Sequence, residues 1–171
     1  LKIASMLHDV GKVAISDLIL KKPARFTEEE YFIMQGHTWL GAKLFNEIES
    51  PVDKIARDVA LTHHENWDGT GYPGKIRVES GEPLKKGSKN GRADGLKGEE
   101  IPIGGRIVAL ADVYDALSCK RVYKEPWTED KVLEEIRSLR GTKFDPGVVD
   151  AFFEILPSIQ SIRERFPDTE E

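Results

Sequence analysis

The chain has 171 residues, of which 39% are hydrophobic and 32% charged, and its formal net charge is −5. This composition indicates one ordinary globular domain, and no apolar run is long enough to cross a bilayer. The negative charge argues against broad binding to nucleic acid. The single cysteine, Cys119, excludes an internal disulfide framework and fits a reducing cytoplasm.

Apolar spacing predicts helices along the first third of the chain. A short apolar stripe ends at Gly11. Thr27 and Glu30 have the spacing of a capping box, and apolar residues then recur at helical spacing as far as Ile48. Pro51 occupies the favoured first turn of another helix. The region is therefore predicted to be helical, with turns between the helices.

Three more helices are predicted in the second half. One has an apolar stripe from Ile103 to Leu117. The next is capped by Thr128 and ends before Gly141, and the last starts at Asp145-Pro146. We therefore expect an all-α fold and one domain over residues 1–171.

The segment 75–94 differs from its surroundings. It contains three glycines and six Lys or Arg against three acids, and it lacks helical periodicity. Lys75 to Lys86 fits a hairpin around Ser80-Gly81. The segment is predicted to be a surface insertion, irregular or hairpin-like. Its role is left open between a harmless loop, a cationic flap over a site, and a docking surface for a partner.

Histidines and carboxylates form the main chemical signal. A single histidine on an apolar helix face is most simply a buried imidazole with a satisfied hydrogen bond. Here all four histidines of the chain, with two carboxylates beside them, are expected to converge from four helices: His8, Asp9, His37, His63, His64 and Asp112. A buried carboxylate needs a partner, and imidazole with carboxylate suits first-row metals. The pattern predicts a site for one or two divalent cations.

The motifs around these residues carry a resemblance. They are HDVGK at 8–12 and HHENWDGTGYP at 63–73, followed by EEIP at 99–102 and ADVYDAL at 111–117. Arg121, Tyr123, Lys124 and the FDP motif at 144–146 come after them. In these motifs, which occur in order over nearly the whole chain, the sequence resembles the HD-GYP family, a branch of the HD metal-dependent phosphohydrolases.

The resemblance implies an HD-domain-like helical bundle that hydrolyses cyclic di-GMP to linear pGpG, with GMP from a second cleavage. It implies two divalent metal ions, iron or manganese, held by His8, Asp9, His37, His63, His64 and Asp112. Catalytic roles are implied for Asp9, which would bridge the metals, and for Lys12, which would contact a substrate phosphate. The substrate contacts that it implies are Lys12, Gly71, Tyr72, Asp115, Arg121 and Lys124.

The resemblance also implies partners and a location. Besides cyclic di-GMP, the expected partners are an upstream receiver or sensory domain, GGDEF-domain proteins and a second copy of the chain in a homodimer. Nucleic acid and a membrane span in this segment are not expected. The expected location is the cytoplasm, with membrane anchoring of the parent protein left open.

The sequence departs from the family pattern at its start. The family carries a Glu and a His ligand upstream of the His-Asp pair, but only seven residues precede His8. The domain is therefore expected to be truncated at its N-terminus. Two alternatives stay open: a degenerate module that binds cyclic di-GMP or a protein without turnover, and an HD hydrolase of another cyclic dinucleotide.

Overall fold

The computed structural model describes residues 1–85, 92–119 and 126–165. These residues form α-helices joined by turns, with two short 3-10 turns at Val10–Ala14 and Gly98–Glu100 and no extended strand. The helices are α1 (Lys2–Met6), α2 (Asp17–Leu20), α3 (Glu28–Gln35), α4 (His37–Lys43), α5 (Pro51–Thr62), α6 (Ile103–Ser118), α7 (Glu129–Ser138), α8 (Pro146–Glu154) and α9 (Leu156–Arg165). The all-α prediction is confirmed. No described helix is both long and apolar enough to span a membrane.

The helix α5 forms as its sequence predicts. Pro51 is in its first turn, and the Ser50 side chain accepts a hydrogen bond from the Asp53 backbone N–H, which completes a capping box. One face of α5 is buried against α1 and α6, where Ala4, Ala56, Val59 and Val108 form a small apolar cluster. This packing fixes the C-terminal end of α5, from which His63 and His64 follow.

A second and larger apolar cluster joins α6, α7 and α8. Its buried members are Leu110, Tyr114, Val132, Leu133, Ile136, Phe144, Val149 and Phe152. Asp145 caps α8 as predicted, because its carboxylate accepts the Gly147 N–H at 2.8 Å. Since α6 contributes to both clusters, it connects the two halves of the domain and carries Asp112 between them.

The long helix expected between Thr27 and Ile48 is wrong in its extent. The capping box at Thr27 is present, but the chain divides at Gly36 into α3 and α4, and Ile48 is outside a helix. The Gly36 N–H donates to the Ile33 carbonyl at 3.0 Å, three residues back, so the helical repeat tightens there. The division places His37 at the first position of α4.

The first apolar stripe also ends earlier than expected, since α1 stops at Met6 and residues 10–14 form a 3-10 turn. This turn packs against α4 with its backbone. Gly11 is buried, and a Cβ added there would overlap the His37 carbonyl group and the Gly41 backbone nitrogen. The close approach brings Asp9 next to His37.

The hairpin within the insertion is confirmed for the part that the structure describes. Ile76 and Pro83 form an antiparallel bridge, and the Arg77 N–H donates to the Glu82 carbonyl at 2.8 Å. Gly81 has a φ of +73°, in the left-handed region that a tight turn often needs. Lys86 lies outside the described residues.

Candidate metal centre and substrate pocket

Four structural elements bring the predicted metal-binding residues together. His8 and Asp9 follow α1, His37 begins α4, His63 and His64 follow α5, and Asp112 lies in α6. Asp9, His37, His63 and His64 each offer a ligand atom within 4.8 Å of the others. We call these four residues, with His8 and Asp112 beside them, the His-Asp cluster.

Backbone carbonyls set the orientation of three imidazoles. The Nδ1 atoms of His8 and His37 lie 2.6 Å from the carbonyl oxygens of Ser5 and Met34, and His63 Nδ1 lies 3.0 Å from that of Val59. A carbonyl can only accept a hydrogen bond, so each Nδ1 carries the proton and donates it. Each Nε2 therefore has its lone pair free, which is the arrangement of histidines that bind metals.

The carboxylate of Asp9 is the centre of the cluster. Its Oδ1 is buried, has no hydrogen-bond partner among the described residues, and lies 3.4 Å from His37 Nε2 and 3.7 Å from His63 Nε2. Its Oδ2 lies 2.5 Å from Lys12 Nζ and 3.3 Å from His8 Nε2. A buried anionic oxygen facing two nitrogen lone pairs is electrostatically unfavourable, and a cation between them would relieve this. The residues present therefore fit a metal ion.

His8 and Asp112 extend the cluster on its other side. His8 Nε2 lies 3.8 Å from Asp112 Oδ1 as well as near Asp9 Oδ2. Asp9, whose carboxylate would accept a hydrogen bond from the protonated imidazole, raises the pKa of His8 against the opposing effect of burial. The two oxygens of Asp9 thus face different sets of donors.

Protonation states in the rest of the cluster suit metal binding. Burial lowers the pKa of His64 to about 2 and also lowers that of His37, so both imidazoles are neutral at pH 7. Burial raises the pKa of Asp9, but the nearby His63, His8 and Lys12 side chains outweigh it and hold that pKa well below its ordinary value. Neutral imidazole and ionised carboxylate are the forms that bind a metal.

A cavity of about 610 Å³ adjoins the cluster at His64 and Tyr72. The Tyr72 ring stacks on His64 with ring centroids 4.8 Å apart, and Gly71 lines the same cavity. Burial raises the pKa of Tyr72, so its hydroxyl stays a hydrogen-bond donor. The volume is in the range of pockets that hold small molecules.

The remaining predicted substrate contacts are not brought into this cavity by the described structure. Asp115 is exposed on α6, and the Cys119 thiol donates to its Oδ1 at 3.3 Å. Neither Lys12 nor Asp115 is among the residues lining the cavity. Arg121 and Lys124 lie outside the described residues. The substrate-binding roles of all four residues stay predictions.

Other residues line the cavity without having been predicted to do so. Lys143 and Asn66 are examples, with Lys143 Nζ donating to Asn66 Oδ1 at 3.4 Å. Burial lowers the pKa of Lys143. Asn66 lies within the HHENWDGTGYP motif and Lys143 directly precedes the FDP motif. These positions in or beside motifs are the sequence features that could have identified the two residues as part of the site.

Comparison with known proteins gives consistent matches. The HD domain family model matches residues 1–117. The chain is 41% identical to 3'3'-cGAMP-specific phosphodiesterase 2 of Vibrio cholerae, over 98% of this chain and 28% of that protein. It is 40% identical to a cyclic di-GMP phosphodiesterase of Thermotoga maritima, over 99% of this chain and 41% of that protein. It is 39% identical to the cyclic di-GMP phosphodiesterase response regulator RpfG of Xanthomonas campestris, over 97% of this chain and 39% of that protein.

The fold has a counterpart among solved structures. A crystal structure of a cyclic GMP-AMP-specific phosphodiesterase from Vibrio cholerae aligns with a TM-score of 0.55 and 18% identity, over 92% of this chain and 38% of that one. The chain spans 28 to 41% of the length of the three relatives named above. From the family match and the ordered motifs, we conclude that the chain belongs to the HD-domain family, within its HD-GYP branch.

Proposed function

We propose that this domain is a metal-dependent phosphodiesterase that opens cyclic di-GMP to linear pGpG, with GMP from a second cleavage. The observation that carries the proposal is the convergence of Asp9 Oδ1 with the Nε2 atoms of His37 and His63, at 3.4 and 3.7 Å. The substrate rests on the relatives from Thermotoga maritima and Xanthomonas campestris, which are named cyclic di-GMP phosphodiesterases.

The His-Asp cluster would hold two divalent ions, iron or manganese. Asp9 is suited to bridge them, because Oδ1 faces His37 and His63 while Oδ2 faces His8. His64 and Asp112 would complete the ligand set. When bound, such ions lower the pKa of water and stabilise negative charge on phosphoryl oxygens.

Protein groups around the cluster would bind and orient the substrate. Lys12 Nζ is held 2.5 Å from Asp9 Oδ2, and its remaining N–H groups can donate to a phosphate oxygen. Tyr72 offers a protonated hydroxyl beside His64, and Lys143 offers a cation in the cavity. Gly71 would admit the ligand close to the backbone, and the contacts proposed for Asp115, Arg121 and Lys124 rest on the family resemblance.

A second candidate substrate is 3'3'-cGAMP. It is favoured by the Vibrio cholerae relative at 41% identity, which is named as specific for that dinucleotide. The two substrates share the phosphodiester ring and differ in one base. The His-Asp cluster and Lys12 would serve both, so the choice between them depends on the cavity that holds the bases.

The wider context is proposed from the same relatives. RpfG is named a response regulator, which supports an upstream receiver or sensory domain in the parent protein. GGDEF-domain proteins and a homodimer are further partners proposed from the resemblance. A cytoplasmic location is proposed because a cyclic dinucleotide messenger is used there.

Turnover by the purified domain tests the proposal. The protein loaded with manganese or iron should convert cyclic di-GMP to pGpG, and chromatography of the products would measure this conversion. The Asp9→Ala variant should lose both turnover and bound metal. Asp17→Ala, which removes an exposed carboxylate on α2, is the matched control and should change neither. Binding without turnover in the wild-type protein would favour the degenerate module, and full activity of Asp9→Ala would contradict the proposal.

A further inference from the structure

We propose that the described part of the insertion, residues 75–85 and 92–94, forms a wall of the substrate cavity that selects the purine base of the cyclic dinucleotide. Its face toward the cavity consists of Ile76, Gly81, Pro83, Arg92 and Ala93, which we call the insertion wall. The inference rests on the proposed function, because it assigns a base-selecting element to the same site.

The neck of the insertion is fixed by a buried carboxylate. Glu65, which is 2% exposed, accepts the Gly74 N–H at 2.5 Å and the Leu96 N–H at 3.1 Å. These residues flank the insertion on its two sides. The Lys75 N–H also donates to the Asp94 carbonyl at 2.8 Å. Glu65 directly follows His64, so the neck is tied to the chain that supplies the His-Asp cluster.

The arms of the insertion are ordered as well. The Leu84 N–H donates to the Lys75 carbonyl at 2.8 Å, next to the bridge between Ile76 and Pro83. Val78 is only 8% exposed, which is unusual for a solvated loop. The described part of the insertion is therefore a packed element with a defined shape.

The tip of the hairpin packs on the indole of Trp39. A Cβ built on Gly81 would lie 2.6 Å from Trp39 Cε2 and 2.8 Å from Nε1, so the backbone rests directly on the ring. Trp39 is in α4, two residues after His37. The contact between Gly81 and Trp39 therefore fixes the position of the insertion wall relative to His37 and the rest of the cluster.

The two sides of the cavity suit a flat aromatic ligand with hydrogen-bond acceptors. Tyr31, Phe32 and Trp39 line it from α3 and α4, facing the insertion wall. Purine bases stack favourably on aromatic side chains. Arg92 is exposed to the cavity and forms no ion pair with the described carboxylates.

The chemistry of Arg92 gives the wall its selectivity. Guanine presents two acceptors, O6 and N7, to the fork of an arginine, whereas adenine places an N–H donor at the first of these positions. A bidentate contact of this kind discriminates between bases by about 5- to 140-fold. Lysine offers the charge without the fork, so it would attract the dinucleotide without distinguishing its bases.

Steady-state kinetics with cyclic di-GMP, 3'3'-cGAMP and cyclic di-AMP test the inference in the metal-loaded chain. Arg92→Ala and Arg92→Lys should both lower the preference for cyclic di-GMP over cyclic di-AMP by about 5-fold or more in kcat/KM. Lys85→Ala removes a cation of the same insertion that does not line the cavity, and should leave all three values unchanged. Trp39→Ala should raise KM for all three dinucleotides by about 5-fold or more. Trp39→Phe keeps an aromatic ring and should bring KM most of the way back to the wild-type value.

Each other outcome has a defined meaning, provided that thermal melts show the variants folded. Unchanged selectivity in both Arg92 variants would overturn the inference while leaving the proposed function intact. An equal loss for all three dinucleotides in Arg92→Ala, restored by Arg92→Lys, would reduce Arg92 to a general cation and also overturn it. A wild-type protein that neither binds nor cleaves any of the three would overturn the proposed function, and the inference with it.

Discussion

Replacing Gly11 by alanine perturbs the contact that brings the first cluster residues to α4. The added methyl group would overlap the His37 carbonyl group and the Gly41 nitrogen, which are backbone atoms and cannot rotate away. The turn at residues 10–14 and the start of α4 would have to separate. Asp9 would then move away from His37, and the separation of 3.4 Å between Asp9 Oδ1 and His37 Nε2 would increase.

The size of the effect follows from this overlap. Inserting a methyl group into a packed interior costs about 1–3 kcal/mol. For a chain of 171 residues, each kcal/mol lowers the melting temperature by about 2–4 °C, which gives a fall of about 2–12 °C. A displacement of about 1 Å at a catalytic site costs about 100-fold in rate. Both losses should therefore be measurable: a lower melting temperature and a rate reduced by about 100-fold.

Thermal melts followed by circular dichroism, with kcat/KM for cyclic di-GMP, measure both effects. Gly147→Ala is the matched control: its new Cβ would meet only Asp145 Oδ1, at an ordinary 3.5 Å, in the first turn of α8. The control should gain about 0.4–1 kcal/mol in stability through the unfolded state and keep full activity. If Gly11→Ala melts within about 1 °C of the wild type and retains its kcat/KM, then Gly11 does not position the cluster.

Three further predictions concern metal, pH and a buried ion pair. Manganese at about 100 times its Kd should add about 2.7 kcal/mol to the free energy of unfolding, measured in urea, and His63→Ala should lose most of this gain. Burial raises the pKa of Glu65 to about 7, above its unfolded value of 4.5. The stability that protonated Glu65 contributes to the metal-free protein is therefore fully present below pH 4.5 and is lost as the pH rises through 7. The free energy of unfolding of Glu65→Gln should fall less steeply than that of the wild type over this pH interval. Parallel pH profiles of the two proteins would contradict the raised pKa of Glu65. Arg106→Ala should lower the free energy of unfolding in urea by about 3–5 kcal/mol, because the buried Asp145 carboxylate loses its partner at 3.0 Å. As a control, Arg140→Ala removes one side of an exposed ion pair and should change this free energy little.

Local sequence signals predicted the starts of several helices and the members of the cluster. Pro51 and Asp145-Pro146 mark helix starts through backbone chemistry that acts within one turn, and the structure has both. The His-Asp cluster was predicted from residue types and motifs, and the structure brings its residues together. These features depend on short stretches of chain, so a single sequence contains them.

Features that depend on packing between distant segments were not predictable in the same way. The division at Gly36 has only a weak local signal, because glycine is tolerated inside helices and Gly36 keeps a helical φ of −58°. The helix α9 was not predicted at all. The cavity walls require α3, α4 and the insertion to meet, and no motif connects Trp39 with Gly81.

The carbonyl groups that orient the imidazoles have a consequence for tolerance to mutation. The acceptors belong to the main chain of Ser5, Met34 and Val59, three or four residues before the histidine that each one holds. A substitution at any of those positions changes a side chain and leaves the acceptor in place. Substitutions at these neighbouring positions should therefore leave the orientation of each imidazole unchanged, as long as the preceding turn keeps its backbone conformation.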